Sequence, residues 1–501
     1  MSVASALQKI SAYVEANPCQ DYQKKMKDDE DAYFAEIQRE EGWAEPAKTD
    51  IPTFYRPSPK PSSSSHAEED ESQLPSGAEI GAMLRQSLRS AARAREVSLR
   101  MRLLDLWDND IMEKLLVILS SAASSNNGPI SYKAYQKAAA EFESWRRVYF
   151  DTAKPEVEYD ELLHLAKIPC GFHVTTLPQL DSVMYLSSPR IDGECASAKQ
   201  LYAIFVKQMA VFKSETELVM RDDDSDGCLT RDELTAYVEE LIPSVAVLQD
   251  LDEDMYPFYC CSTVHRLFWL LDTTGQGKIR IDKLVVHQVM DAWLDVQLAL
   301  KDPQRNWFSK TIATALHQKF VQFNTSGSGM MARSEMSRYK KGIPTVEDDG
   351  LPPDVSPLTE LFLDRVFEVM PLFKGEMDYE CFVDFVLAVE MLPQCPRPAF
   401  FWEILDIHNE GVLTPMIVNL FVREVHARLV SAGVSPPPLE LIVPEMFDVI
   451  KTEKPLIMTK KEFFASNQAG LFSSLLIDCL SFWMYENREQ LMVQKAQEQQ
   501  R

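Results

Sequence analysis

The sequence has no uncharged apolar stretch that approaches the roughly 18 residues a helix needs to span a bilayer. Its first residues, Met1 to Pro18, lack the basic start and apolar run of a secretory signal, so a soluble intracellular chain is expected. Positive charge is also short: 51 Lys and Arg stand against 76 Asp and Glu, a formal net charge of −25. That balance argues against unaided binding to nucleic acid or to an anionic membrane, because both require a basic face. Nine cysteines are scattered without C-x-x-C spacing, with Cys260 and Cys261 adjacent, and they read as reduced buried thiols rather than a disulfide framework. Eight histidines include no H-E-x-x-H, and neither G-x-S-x-G nor a phosphate-cradling glycine loop occurs. These absences leave no catalytic centre, and the chain is expected not to be an enzyme.

What is present is a foldable chain with one strong motif. Across 501 residues, 46% are hydrophobic and 25% charged, enough for two to four domains with buried cores. The stretch Asp222 to Glu233 matches a twelve-residue EF-hand loop. Asp222, Asp224 and Asp226 take the first, third and fifth places, where each supplies a carboxylate oxygen. Gly227 stands sixth, at the sharp bend that a residue without a Cβ makes cheaply. Cys228 offers its backbone carbonyl, Thr230 acts directly or through water, and Glu233 closes the shell bidentately, while Leu229 turns into the core. A hard cation takes about six to eight oxygens, so the donor set predicts Ca2+ or Mg2+. An acidic turn capping a helix would leave the periodic oxygens, the glycine and the glutamate unexplained together.

Weaker versions of the same pattern recur every 35 to 55 residues or so, which predicts an all-α array of EF-hand and degenerate EF-hand-like units rather than a regular solenoid. Asp272 to Lys283 has Gly277 sixth and Ile279 eighth, but Lys283 stands where the bidentate carboxylate belongs, so this hand is read as structural. A third loop offers Asn324, Ser326, Ser328, the carbonyl of Met330, and Glu335. Glu335 is its only carboxylate ligand, and since ligand charge sets calcium affinity the site is expected to be weak or empty. Further units centre on 370–390 and on 406–417, the latter with Ile417 at the twelfth place. Half-hands are read around Gly128 to Ile130 and Ser188 to Cys195, and the partner of the calcium loop is expected to be the unit near Gly193 or the one at Asp272. Ala78 to about Leu119 reads as helical with a basic face at Arg85, Arg89, Arg93 and Arg95, whereas 145–170 reads as irregular. Residues 57–77 are rich in Pro, Ser and acidic residues, a linker composition.

Taken in order, several segments resemble the B″ class of regulatory subunits of protein phosphatase 2A, and within it the gamma-type branch that includes the plant TONNEAU2/FASS protein. They are Ile51 to Tyr55, Asp222 to Pro243, Tyr259 to Lys283, Asn306 to Ser309, Gly375 to Glu390, Asp406 to Leu413, Phe447 to Lys451, Leu475 to Asp478 and Trp483 to Glu489. The resemblance covers about residues 180–490 and, in patches, the first 130. It implies an elongated two-lobed helical subunit that binds calcium and is not itself an enzyme. It also implies partners: the phosphatase scaffold and catalytic subunits, and centrosomal or microtubule-associated proteins, but neither nucleic acid nor membrane. The implied location is the cytoplasm, with cytoskeleton, centrosome and nucleus as destinations. On this reading 1–77 is a charged arm and linker, 78–300 one helical lobe, 301–489 a second, and 490–501 a frayed tail. Segments 57–77 and about 136–175 look inserted. The competing reading is a calcium sensor or scaffold that acts on other partners independently of the phosphatase.

Overall fold

Helix starts are marked by short polar side chains. In the computed structural model, which describes residues 77–105, 107–123, 128–153, 179–191, 195–299, 306–339, 358–392, 394–489 and 492, Asp108 caps helix Asn109–Ala122 by accepting the N–H of Ile111 at 3.0 Å. Ser309 and Asp378 begin helices Lys310–Phe323 and Tyr379–Glu390 in the same way. Such caps satisfy donors that a helix start leaves without partners. The described residues form nineteen α-helices joined by turns and by strands of two or three residues, an all-α fold. They all fall within one compact unit, Phe54–Arg501. Among them no helix is long and apolar enough to cross a membrane.

The short strands show how the helix–loop–helix units pair. Ile130 lies opposite Ala196, Leu229 opposite Ile279, Met331 opposite Met377, and Leu413 opposite Met458, each across an antiparallel contact. All eight side chains are buried. A ladder this short has little stability of its own. It persists because each strand drives one apolar side chain into the core beneath the two loops, worth about 1.5–3 kcal/mol for a fully buried Leu, Ile or Met. The partner of the loop at 222–233 is therefore the hand at Asp272, and the two half-hands near Gly128 and Cys195 pair with each other.

Three clusters of buried side chains follow in chain order, spanning Leu103–Phe212, Leu218–Ala313 and Phe258–Phe482. Helix Tyr256–Leu271 belongs to two of them at once. Tyr259, Val264, Leu267 and Phe268 face the middle cluster, whereas Phe258, Cys261 and Trp269 face the last. A helix apolar around its circumference must be covered on more than one side, and this one is. Helix Gly77–Asp105 is fastened to helix Ala198–Arg221 by Arg100, which donates to Glu215 and Thr216, both at 2.9 Å, and stacks on the Phe212 ring. That ion pair is almost fully enclosed, and breaking a buried pair from one side costs about 3–5 kcal/mol.

Two local expectations need correction. The helical run from Ala78 is two helices, because Asp108 restarts the chain after Asp105. Residues 145–153 are helical, not irregular: Trp145 and Tyr149 continue helix Tyr132–Ala153 as a stack of rings begun by Phe142, and Phe150 meets Tyr149 edge-on. Residues 451–462 also form one more hand, which the sequence reading did not include. The arm 1–76, the stretch 154–178, Gly193 and nearly all of the tail 490–501 lie outside the described residues.

Candidate metal centre

The loop at 222–233 is closed by its own acidic groups. Asp222 ends helix Ala198–Arg221 and is buried, and its carboxylate accepts the N–H of Asp226 at 3.2 Å and of Gly227 at 2.9 Å. Asp224 accepts from Asp226, and Asp226 accepts from Cys228 at 2.7 Å. Gly227 has φ +80°, a left-handed conformation; a Cβ there would meet nothing within 4 Å, so the demand for glycine is conformational alone. The result brings one carboxylate oxygen each from Asp222, Asp224 and Asp226 within 4.8 Å of one another. Among the described residues, no other group of three or more His, Cys, Asp or Glu side chains is gathered in this way.

Glu233 and Thr230 do something else besides. Thr230 caps helix Arg231–Leu241 and forms a capping box with Glu233, whose second oxygen accepts from both the N–H and the hydroxyl of Thr230 at 2.8 Å. The other oxygen of Glu233 accepts the N–H of Asp223 at 3.1 Å, which holds it over the start of the loop. The Thr230 hydroxyl is thus committed to Glu233. The Cys228 thiol is pushed up by burial and then by Asp226, and its carbonyl is the atom that the seventh place of such a loop uses.

Two cations from elsewhere face these carboxylates. Lys278, on the paired strand, reaches Asp224 at 3.0 Å and Asp226 at 2.5 Å. Arg93, on helix Gly77–Asp105, stands 3.2 Å from Asp222, and Ser90 hydrogen-bonds Ser225 at 3.0 Å. Burial pushes the Asp222 carboxyl above its ordinary range, against the Gly227 amide and Arg93. The hydrogen bond from Lys278 holds Asp224 below it. None of these contacts is visible as a motif, because the partners are brought together only by helix packing and strand pairing.

The other loops share the geometry without the charge. Asp272 and Asp406 accept the amides of Gln276 and Gly277, and of Glu410 and Gly411, as Asp222 does in its own loop. A first-position aspartate is therefore a turn-forming residue before it is a metal ligand. In the loop at 324–335, Ser326 donates to Asn324 at 2.9 Å and contacts Ser328 at 3.0 Å, and Ser328 donates to the Met330 carbonyl at 2.8 Å. Glu335 accepts from Thr325, Ser326 and Ala332; burial alone would raise its carboxyl, but these hydrogen bonds hold it below the ordinary range. The hand missed at 451–462 repeats one signature of the loop at 222–233: Thr459 and Glu462 form the same capping box, and Glu462 accepts from the Glu453 N–H at 2.8 Å. The T-x-x-E spacing was its available signal.

No family model matches the chain. The B″ gamma regulatory subunit of serine/threonine-protein phosphatase 2A from Danio rerio is 28% identical over 417 residues, 82% of this chain and 81% of that protein. The Homo sapiens B″ gamma subunit is 30% identical over 304 residues, 60% of this chain and 64% of that protein, so the match spans a little under two thirds of its length. A solved chain from a PP2A PR70 holoenzyme covers 53% of this chain and 96% of its own length, with 17% identity and a TM-score of 0.44. Over most of its length the chain is thus similar to B″ regulatory subunits of protein phosphatase 2A, which are named as regulatory and not as catalytic subunits.

Proposed function

We propose that the chain binds the scaffold and catalytic subunits of protein phosphatase 2A, carries one calcium ion in the loop Asp222 to Glu233, and directs the phosphatase to its substrates. The observation that carries the calcium reading is the convergence of Asp222, Asp224 and Asp226 within 4.8 Å. With Glu233 and the Cys228 carbonyl they form an all-oxygen donor set, which fits a hard divalent cation and not a thiolate-seeking metal. Calcium there supplies two positive charges to a partly buried acidic loop and ties helix Ala198–Arg221 to helix Arg231–Leu241. A ligand that binds the folded lobe stabilises it and whatever is docked on it. The loop at 324–335, with Glu335 as its only carboxylate ligand, is assigned a structural role at micromolar calcium.

The phosphatase partners rest on the named relatives, whose printed descriptions are regulatory subunits of that enzyme. The microtubule cytoskeleton and the centrosome, within the cytoplasm and nucleus, are proposed destinations that rest on the resemblance to the gamma-type branch. A sensor that opens a groove for target helices fits less well. Sensors open through paired loaded loops, and here the loop paired with the acidic one has Lys283 at its closing position. Reconstitution with purified scaffold and catalytic subunits tests the reading on a sizing column. Co-elution that tightens in calcium over chelator is expected, and absence of co-elution in both buffers would remove the phosphatase role.

A further inference from the structure

Three carboxylates held this close repel one another, yet the loop is folded with two strands in register. Arg93 faces Asp222, and the compensation for Asp224 and Asp226 comes from the paired hand. Antiparallel register sets Lys278 opposite Thr230, at the rim of the acidic loop, and its ammonium bridges Asp224 and Asp226. Lys278 is the seventh residue of its own loop, where only the backbone is needed, so its side chain is free to serve the neighbour. The next cation along the same strand, Arg280, is engaged instead by Asp282 at 2.6 Å.

We propose that Lys278 is a tethered cation that competes with the metal for Asp224 and Asp226, so that calcium enters by exchange for an ammonium rather than by filling an uncompensated acidic loop. The inference rests on the calcium reading of this loop. When the ion binds, the ammonium leaves for solvent still protonated, and the two carboxylates turn from Lys278 to the metal. The device has two consequences. It keeps the hand pair folded without calcium, and it raises the calcium concentration at which the loop fills. Because the lysine is part-exposed, the opposition is electrostatic and weakens as salt rises.

The test is calcium titration of the full chain by calorimetry, with terbium luminescence as a second probe, for wild type, Lys278→Met and Arg280→Met. Lys278→Met is expected to bind about tenfold more tightly at low salt, the order given by one unit charge a few ångströms away in a wet site. Arg280→Met is expected to change affinity less than about twofold, since its charge is already paired. In chelator, Lys278→Met should melt below wild type with its helical circular dichroism retained. Equal tightening in both variants would reduce the effect to net charge and overturn the proposal. Unchanged or weaker binding in Lys278→Met would overturn it as well, leaving the calcium site intact. No binding by any of the three at millimolar calcium would overturn both the proposal and the calcium reading.

Discussion

The loops at 222–233 and 324–335 bend alike and differ in what holds them shut. The first gathers three carboxylates and needs outside charge, from Lys278 and Arg93, to offset their repulsion. The second is neutral along its rim, and its hydroxyls, its asparagine and Glu335 satisfy one another and the backbone. The difference teaches that an EF-hand-like loop can be kept in two ways: as a gathering of carboxylates offset by outside cations, or as a turn whose polar groups have become partners of each other. Both keep their strand contacts and buried apolar residues, so the fold does not distinguish them.

The largest effect expected from breaking this comparison lies in the acidic loop. Asp222→Ala combined with Glu233→Ala should abolish calcium binding by calorimetry and weaken scaffold association, with most of the helical circular dichroism retained. Converting the quiet loop is the complementary change. Ser326→Asp with Ser328→Asp restores carboxylates at the third and fifth places, and a second calcium per chain should appear in the titration; its absence would mean that ligand charge is not what separates the loops.

How much of this contrast was legible depends on where the chemistry sits. The acidic loop at 222–233 could be read because its candidate ligands are side chains at fixed spacing within twelve residues, and the hand at Asp272 because Gly277 and Ile279 keep the bend and the core contact. The hand at 451–462 could not be read that way. Lys451, Pro455 and Leu456 occupy its first, fifth and sixth places, and Leu456 takes the left-handed conformation, φ +61°, without being glycine. Lys278 and Arg93 were invisible for another reason. They meet the loop through strand register and helix packing, which no local spacing encodes. The double burial of helix Tyr256–Leu271 was half legible, since its apolar content showed but not which faces it served.

Two smaller effects sharpen the account. Glu335→Ala leaves the amides of Thr325, Ser326 and Ala332 without their acceptor, so a loss of about 1–3 kcal/mol is expected in denaturant unfolding. Calcium stoichiometry should not change, which separates a structural glutamate from a ligand. Leu456→Gly relieves a left-handed residue whose side chain is partly exposed, and it should raise stability by up to about 1 kcal/mol, offset in part by the freedom that glycine gains on unfolding.

The central claim is that one loop, and not its neighbour, takes the ion. Calorimetric titration of the full chain with calcium from chelator-treated protein tests it most directly, with Asp222→Ala/Glu233→Ala and Glu335→Ala run beside wild type. One calcium per chain at micromolar ion, lost in the first variant and kept in the second, is the predicted result. Two sites in wild type, or a site that survives the loss of Asp222 and Glu233, would contradict it.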